Sequence, residues 1–338
     1  MKRILVTGGA GFIGSNFIRY IIKNTDWFIY NLDALTYSGN LSNLDGLSTD
    51  RHKFIHGNIL DQQLISWIFN HIELDIVVHF AAETHVDRSI IHPRPFIETN
   101  IIGTFNLINA IKTFSPKTHF HHISTDEVYG ELDEDGSFSE SYCYTPNSPY
   151  SASKASSDHL VRAFGHTYGL KYTISNCSNN YGPYQFPEKL IPRMVLSAIQ
   201  HKPLPVHGNG ENVRDWLHVD DHCRAIHMIL ESGEVGETYN IGGNEERMNI
   251  EVVNKICDIL KEYNPVIEFT KDRLGNDKRY AIDSNKIFAH LGWYPEINFD
   301  DGIVDTVNWY LQNRDWLFET NKLLESSNYD IFYRDKKV

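Results

Sequence analysis

The sequence predicts an α/β protein in which helices cover both faces of a parallel, doubly wound sheet. Its 338 residues suffice for about two domains or lobes. Short apolar segments alternate with segments whose apolar residues recur at helical spacing, and a glycine-rich turn follows the first apolar segment directly. Strands that alternate with helices in this way favour right-handed crossovers and one parallel sheet. We therefore expect this architecture over residues 1–180.

The elements follow in order along the chain. Strands are predicted at residues 4–6, 28–32, 53–56, 76–80, 120–124 and 172–176, and helices at residues 12–23, 61–70, 96–114 and 150–168. The polar residues 130–148 predict a surface loop. Proline and glycine interrupt the pattern after residue 180, and further helices are predicted at residues 190–200, 219–230, 250–263 and 302–312. Residues 181–330 thus predict a smaller, mainly helical substrate-binding lobe, with returns to the large sheet near residues 215–242, where residues 236–241 form one more strand.

Composition excludes several classes of partner. The chain has 31 Lys and Arg residues against 44 Asp and Glu, a net charge of −13, and such a surface repels nucleic acid and anionic lipid. Four cysteines without a CxxC pair predict free thiols instead of a zinc site or a disulfide framework. The sequence shows neither a signal-peptide pattern nor an apolar run of about 18 residues. We expect a cytoplasmic protein without nucleic-acid or membrane partners.

A dinucleotide site is predicted at the first strand-to-helix turn. Gly8, Gly11 and Gly14 stand there, and their missing side chains let backbone N–H groups and the helix N-terminus approach a pyrophosphate. Asp33 follows the second predicted strand, where a carboxylate accepts hydrogen bonds from ribose hydroxyls and repels a 2′-phosphate. Such a turn can also serve helix packing alone, but the combination predicts a Rossmann-type site for NAD in preference to NADP.

Tyr150 and Lys154 are candidate catalytic residues. Their spacing places the phenol and the ammonium on one face of a predicted helix. A nearby ammonium lowers the pKa of a phenol, so Tyr150 is expected to take a hydroxyl proton while a hydride leaves the same carbon. Lys154 can also hold the nicotinamide ribose, and Thr125 or Ser124 supplies a hydroxyl. The alternative interpretation is an exposed pair on a solvated helix face.

Asp126 and Glu127 close the strand before that helix, where ligands collect at a parallel sheet. Oxidation of an alcohol does not require two further carboxyl groups. Once carbon 4 of a hexose is a ketone, its carbon 5 proton is acidic, so Glu127 can remove that proton while Asp126 protonates the departing carbon 6 hydroxyl. A charged loop at a strand end is the simpler alternative.

Six segments carry a family resemblance: LDALTYSGN (32–40), HVDRSI (85–90), STDEVYG (124–130), YSASKAS (150–156), NNYGPYQFPEKLIP (179–192) and RDWLHVDDH (214–222). On these the sequence resembles the dTDP-glucose 4,6-dehydratase family of the extended short-chain dehydrogenase/reductase superfamily. The resemblance implies Thr125, Asp126, Glu127, Tyr150 and Lys154 as the catalytic set. It implies NAD contacts from Gly8, Gly11, Phe12, Ile13, Gly14, Asp33, Asn58, Ile59, Ala81, Ala82, Thr99, Tyr150, Lys154 and Asn180. It also implies contacts to a nucleotide-diphosphate sugar from Thr84, Thr125, Asn179, Lys189, Leu190, Pro205, His207, Arg214, Asn249 and Arg273.

Lys189, Arg214 and Arg273 suit a diphosphate clamp in an acidic protein. The resemblance further implies a homodimer that packs residues 96–114 and 150–168 as a four-helix bundle. The sequence departs from the family pattern at Asn58, Asn176, His207 and Asn276. His207 and Asn276 fall where the base and the diphosphate would lie, so thymidine or uridine, and glucose or an N-acetylated sugar, stay open as alternatives. An enzyme on a UDP-N-acetylhexosamine or its 5,6-unsaturated derivative, with carbon 5 inversion, therefore stays open. So does an NAD-binding regulator without activity.

The histidines do not predict a metal site. Strand alternation sends the neighbours His121 and His122 to opposite faces, so they cannot chelate one ion with His119. His218 and His222 flank two aspartates, but this run is more typical of a helix start. No metal is expected.

Overall fold

The computed structural model describes residues 1–48, 50–133, 135–272 and 275–326. Within these residues the strands are β1 (Arg3–Thr7), β2 (Phe28–Asp33), β3 (His52–His56), β4 (Ile76–His79), β5 (His119–Thr125), β6 (Tyr172–Cys177), β7 (Asn179–Tyr181), β8 (Leu204–His207), β9 (Val213–His218), β10 (Thr238–Ile241), β11 (Glu246–Met248) and β12 (Ile267–Thr270). The helices are α1 (Phe12–Asn24), α2 (Gln62–His71), α3 (Val86–Ile91), α4 (Arg94–Phe96), α5 (Thr104–Phe114), α6 (Pro149–Tyr168), α7 (Leu190–Ile199), α8 (Val219–Ser232), α9 (Asn249–Ile259), α10 (Asn285–Leu291), α11 (Phe299–Gln312) and α12 (Arg314–Ser326).

A seven-stranded sheet with the order β10-β6-β5-β4-β1-β2-β3 forms the centre of the described chain. Its neighbouring strands pair in parallel. The strand order reverses between β1 and β4, and ligands bind at such switch points beyond the carboxyl ends of the strands. The predicted doubly wound α/β class is confirmed, and β10 returns to this sheet as expected. None of the helices in the described residues is long and apolar enough to cross a membrane.

Local sequence signals position α6, which carries Tyr150 and Lys154. The Ser148 side chain accepts a hydrogen bond from the Ser151 N–H, and the Ser151 hydroxyl in turn accepts from the Ser148 N–H. Pro149 occupies the first helical position, where its missing N–H costs nothing. Gly169 ends the helix in the left-handed conformation at φ +71°. The cap therefore places Tyr150 in the first turn.

The predicted continuous helix over residues 96–114 is interrupted. After α4, Ile97–Gly103 forms wider π-helical turns before α5 begins. The buried Asn100 side chain in these turns bonds the backbone of Glu83 and the hydroxyl of Ser153. Such turns often occur at functional sites, and these tie the helix to the walls of the cleft described below.

Residues 130–148 are not the simple surface loop that their polarity predicts. In the described part of this segment, Phe138 is fully buried and Leu132 nearly so. The Phe138 ring stacks on Tyr129 at a centroid distance of 5.1 Å. Both rings pack with Tyr280 in one apolar cluster. Because a few apolar side chains suffice to anchor a polar segment, composition alone misjudged this loop.

The second lobe is less helical than predicted. The parallel pair β8 and β12 and the three-stranded sheet β11-β9-β7 accompany α7, α9, α11 and α12. Apolar residues from these helices and strands form one core cluster, which includes Trp216, Val253 and Tyr310. Its strands are three to six residues long and pair with distant segments. The sequence therefore shows no clear alternation for them.

Candidate active site

Close backbone packing explains the glycines of the first turn. A Cβ atom at Gly14 would lie 2.3 Å from the Gly8 carbonyl oxygen, and one at Gly8 would lie 2.7 Å from the Ala81 nitrogen. Gly8 also has φ +73°, which favours glycine. Gly11 precedes α1 without a capping side chain, so the first N–H groups of this helix have no side-chain acceptor at that position. This helix N-terminus can hold an anion.

Asp33 stands at the end of β2 beside this turn. Its carboxylate accepts hydrogen bonds from the N–H groups of Ala10 at 2.9 Å and Leu35 at 2.8 Å. Burial raises the pKa of Asp33, and these two bonds oppose the increase. Each oxygen still has a free lone pair, so the group can accept bonds from ribose hydroxyls.

One cleft of about 300 Å³ collects most of the predicted site. It is lined by every residue predicted to contact NAD, from Gly8 to Asn180, and by the catalytic set. Of the predicted substrate residues, Thr84, Asn179 and Lys189 also line it, and the Lys189 ammonium donates to the Thr84 carbonyl at 3.1 Å. Lining residues that the prediction missed include Thr36, Ser38, Gly39, Glu83, Ser178, Gln185, Phe186 and Glu188. Several of these fall inside the segments that carried the resemblance, and that position was the available signal.

The other predicted substrate residues lie outside this cleft, on the second lobe. Leu190 starts α7, Pro205 and His207 belong to β8, and Asn249 starts α9. Arg214 is buried on β9, donates to the Asp277 carbonyl at 2.8 Å and lies 4.5 Å from the centre of the Tyr280 ring. Its charge acts on Asp126, so β9 reaches the catalytic end of the cleft. Arg273 lies outside the described residues.

The structure corrects the expected state of Tyr150. Burial and the negative charge of Glu127 raise the pKa of its phenol well above the ordinary value, although a hydrogen bond with Thr125 opposes this. The predicted lowering by Lys154 fails because the Lys154 ammonium donates to the Ile123 carbonyl at 2.7 Å instead. Burial lowers the pKa of Lys154 to about 8, against the attraction of Asp158. The resting site therefore holds a phenol beside a destabilised ammonium.

Asp126 and Glu127 begin a 3₁₀ turn directly after β5. The Thr125 hydroxyl donates to Asp126 at 3.2 Å and accepts the Glu127 N–H at 3.3 Å. Asp126 is 2% exposed, and burial, Glu127 and Asp215 raise its pKa well above the ordinary value. Glu127 is less buried. The pair therefore presents a protonated acid next to a more accessible carboxylate.

The predicted histidine cluster divides as strand alternation requires. His121 bonds Thr173 on the adjacent strand, whereas His122 bonds Ser157 of α6 on the other face. The predicted helix start at residues 218–222 is confirmed, and the His218 side chain caps α8 by accepting the Asp220 N–H. In the described parts of the chain, no three His, Cys, Asp or Glu side chains group as metal ligands would.

These features define a class of protein. The protein is an extended short-chain dehydrogenase/reductase. It combines a parallel sheet, a glycine turn at the switch point of that sheet, an acidic residue at the end of β2 and a helix with a Tyr-x-x-x-Lys motif, and these features meet in one cleft. The family model described as GDP-mannose 4,6 dehydratase matches residues 5–306. The chain belongs to this family and, within it, to the dTDP-glucose 4,6-dehydratases.

Individual relatives support that placement. The chain is 51% identical to dTDP-glucose 4,6-dehydratase of Salmonella typhimurium, over 93% of this chain and 94% of that protein. The structure of dTDP-glucose 4,6-dehydratase from Bacillus anthracis in complex with NAD matches with a TM-score of 0.88 and 46% identity, over 95% of this chain and all of that one. UDP-glucose 4-epimerase from Thermotoga maritima, solved with UDP-glucose, matches with a TM-score of 0.85 and 30% identity, over 92% and 99%.

Proposed function

We propose that the protein is an NAD-dependent hydro-lyase that converts dTDP-glucose into dTDP-4-keto-6-deoxyglucose and regenerates its cofactor in every cycle. The observation that carries this proposal is the meeting of Asp126 and Glu127 with Tyr150 and Lys154 in one cleft. An alcohol dehydrogenase needs only the second pair. The first pair supplies the separate acid and base that an elimination requires.

The residues present fit NAD. The glycine turn leaves no room for Cβ atoms at Gly8 and Gly14, the N-terminus of α1 suits a pyrophosphate, and Asp33 suits an unmodified ribose. Tyr150, Lys154 and Asn180 line the same cleft and are assigned to the nicotinamide half. When bound, NAD accepts the hydride from carbon 4, returns it to carbon 6 and brings a positive charge into the cleft.

Tyr150 acts in the oxidation. Its phenolate takes the proton of the carbon 4 hydroxyl as the carbonyl forms, so the resting phenol must first release its own proton to solvent. The hydrogen bond with Thr125 favours the phenolate, while burial and Glu127 oppose it. A positive charge in the cleft would shift this balance toward the phenolate.

Glu127 and Asp126 divide the elimination between them. Glu127 takes the carbon 5 proton that the carbon 4 ketone has acidified. The carbon 6 to oxygen bond breaks as Asp126, protonated in its buried position, gives its proton to the leaving hydroxyl and releases water. Hydride returns to carbon 6, and Glu127 returns a proton to carbon 5. Asp126 then takes up a proton from solvent, which balances the one that Tyr150 released before the oxidation.

The function is tested by incubating the protein with dTDP-glucose and measuring the 4-keto sugar by its alkaline absorbance. Glu127→Gln should block the product while oxidation at carbon 4 continues, and it should stop exchange of the carbon 5 hydrogen with deuterated solvent. Tyr150→Phe should block both steps. Full exchange and product formation by Glu127→Gln would assign the base to another group. A larger thermal shift with UDP than with dTDP would favour the UDP-N-acetylhexosamine alternative.

We also propose a homodimer. Ile97, Ile102, Phe105, Phe114 and Tyr168 lie along the π-helical turns, α5 and α6, and their side chains are 36% to 56% exposed. Apolar side chains gathered on two neighbouring helices suit burial against the same helices of a second copy. Sedimentation that gives a monomer at micromolar concentration contradicts this.

A cytoplasmic location is proposed as well. The four cysteines are free thiols, and two of them are buried. Free thiols suit a reducing compartment. Cell fractionation checks it.

A further inference from the structure

A buried histidine contacts the cofactor cleft from behind. His222, in the first turns of α8, is fully buried, and its Nδ1 lies 2.9 Å from Oδ1 of Asn180. Asn180 belongs to β7 and lines the cleft. The family resemblance assigned Asn180 to NAD but gave no role to His222.

The hydrogen bonds around Asn180 show that His222 is the donor in the bond between these two side chains. Nδ2 of Asn180 donates to the Ser178 carbonyl at 3.0 Å, which turns its Oδ1 toward His222. Since that oxygen can only accept, His222 must carry its proton on Nδ1. Burial lowers the pKa of His222 to about 3, so the ring is neutral and its Nε2 is a bare acceptor. This Nε2 is buried without a partner among the described residues.

Packing alone does not explain a histidine whose Nε2 is buried without a hydrogen-bond partner among the described residues. An apolar side chain of similar size would fill the same space without leaving an acceptor unsatisfied. What the histidine adds is one N–H aimed at one oxygen. That bond holds the Asn180 amide with one N–H on the Ser178 carbonyl, and the amide also lies within hydrogen-bonding reach of the Cys177 thiol, another group that lines the cleft.

The neighbouring Gln185 shows that this wall of the cleft is built for a polar ligand. Its Nε2 donates to the main-chain carbonyl of Asn180 at 2.8 Å. Its Oε1 is buried without a partner in the described structure, and the residue lines the cleft at 8% exposure. An amide donor and an amide acceptor thus lie close together on one wall.

We propose that His222 is a positioning residue for the cofactor, which holds the Asn180 carboxamide so that the N–H not bonded to Ser178 can bind NAD. This inference rests on the proposed function, because it assumes NAD in the cleft. His222 itself does not touch the ligand. Its effect passes through a single hydrogen bond, so a variant that keeps this bond should keep the effect.

Two variants separate positioning from packing. His222→Asn places an amide N–H near the site of Nδ1, whereas His222→Gln fills the space better but places its amide near the site of Nε2. Exchange of bound NAD for isotopically labelled NAD is measured in each holoenzyme. We expect His222→Gln to lose NAD about three- to tenfold faster than the wild type, the loss expected for one hydrogen bond, and His222→Asn to stay near the wild type.

The midpoints of thermal unfolding at saturating NAD provide the control for folding. If NAD exchange follows the size of the side chain, with His222→Asn the faster of the two, or if both variants exchange as the wild type does, the inference is wrong. A wild-type protein that fails to retain NAD would instead contradict the proposed function.

Discussion

The buried ammonium of Lys154 should lower the free energy of unfolding of the protein. It is 5% exposed, and burial lowers the pKa of its ammonium from 10.5 to about 8. A shift of this size corresponds to about 3 kcal/mol of preference for the neutral form. Lys154→Met removes this penalty but also leaves the Ile123 carbonyl without its donor, which costs about 1 kcal/mol. We expect a net gain of about 2 kcal/mol in the free energy of unfolding near neutral pH, together with loss of activity.

The lowered pKa of Lys154 determines how the stability difference should change with pH. Because the folded-state pKa lies below the unfolded one, the unfolded chain binds more protons between pH 8 and pH 10.5. The wild type therefore gains stability from Lys154 as the pH rises through this window. The advantage of Lys154→Met should be complete below about pH 8, and above about pH 10.5 only the cost of about 1 kcal/mol at the Ile123 carbonyl should remain.

Urea unfolding with NAD removed, at both ends of that window, measures the difference. Lys117→Met is the matched control, since Lys117 is exposed in a turn and its loss should leave the difference unchanged with pH. If Lys154→Met changes stability by the same amount at both ends, the ammonium does not carry the buried charge penalty and the reasoning fails.

Three further substitutions test the site. Asp126→Asn keeps the shape but has no transferable proton, so product formation should fall about a hundred- to ten-thousandfold while solvent exchange at carbon 5 continues; loss of both would give Asp126 another role. Asp33→Asn should lower the ratio of NAD to NADP affinity about tenfold in fluorescence titrations, because a charged acceptor is lost and phosphate is no longer repelled; an unchanged ratio contradicts the ribose contact. Gly14→Ala puts a Cβ 2.3 Å from the Gly8 carbonyl oxygen and should weaken NAD retention through about 1–3 kcal/mol of strain, whereas Gly11→Ala, at 3.3 Å, is the milder control. Equal losses in the two glycine variants would argue against this packing.

Local patterns were sufficient for the central sheet. The predicted strand at residues 76–80 differs from β4 (Ile76–His79) by one residue, because a buried parallel strand is a short apolar run wherever it pairs. The cap at Ser148 and the glycine turn are likewise local, since each depends on neighbours within a few residues. Most of the predicted cofactor residues were implied by the family resemblance, and they meet in one cleft because a doubly wound sheet brings its strand ends together.

The strands of the second lobe could not be predicted from local patterns, because each pairs with a segment that is distant in the sequence. Strand β8 pairs with β12, some sixty residues later in the chain, and each strand is only four residues long, which is too short for its apolar alternation to stand out in the sequence. Short strands of this kind become stable only when the partner is present. The anchored loop at residues 130–148 follows the same logic, because Phe138 finds its cluster only in the folded chain.

By itself, the sequence determined the fold class and the cofactor turn, since these follow from residue type and spacing, and the family resemblance added the roles of the reactive groups. Only the tertiary structure decided the state of those groups. Tyr150 and Lys154 have the spacing of a phenolate-ammonium pair, yet burial and Glu127 hold the first as a phenol while burial weakens the second as a cation. The hydrogen bond from His222 to Asn180 likewise joins two residues that are 42 positions apart in the sequence. Desolvation and electrostatic interactions depend on distance in space, and spacing along the chain does not specify that distance.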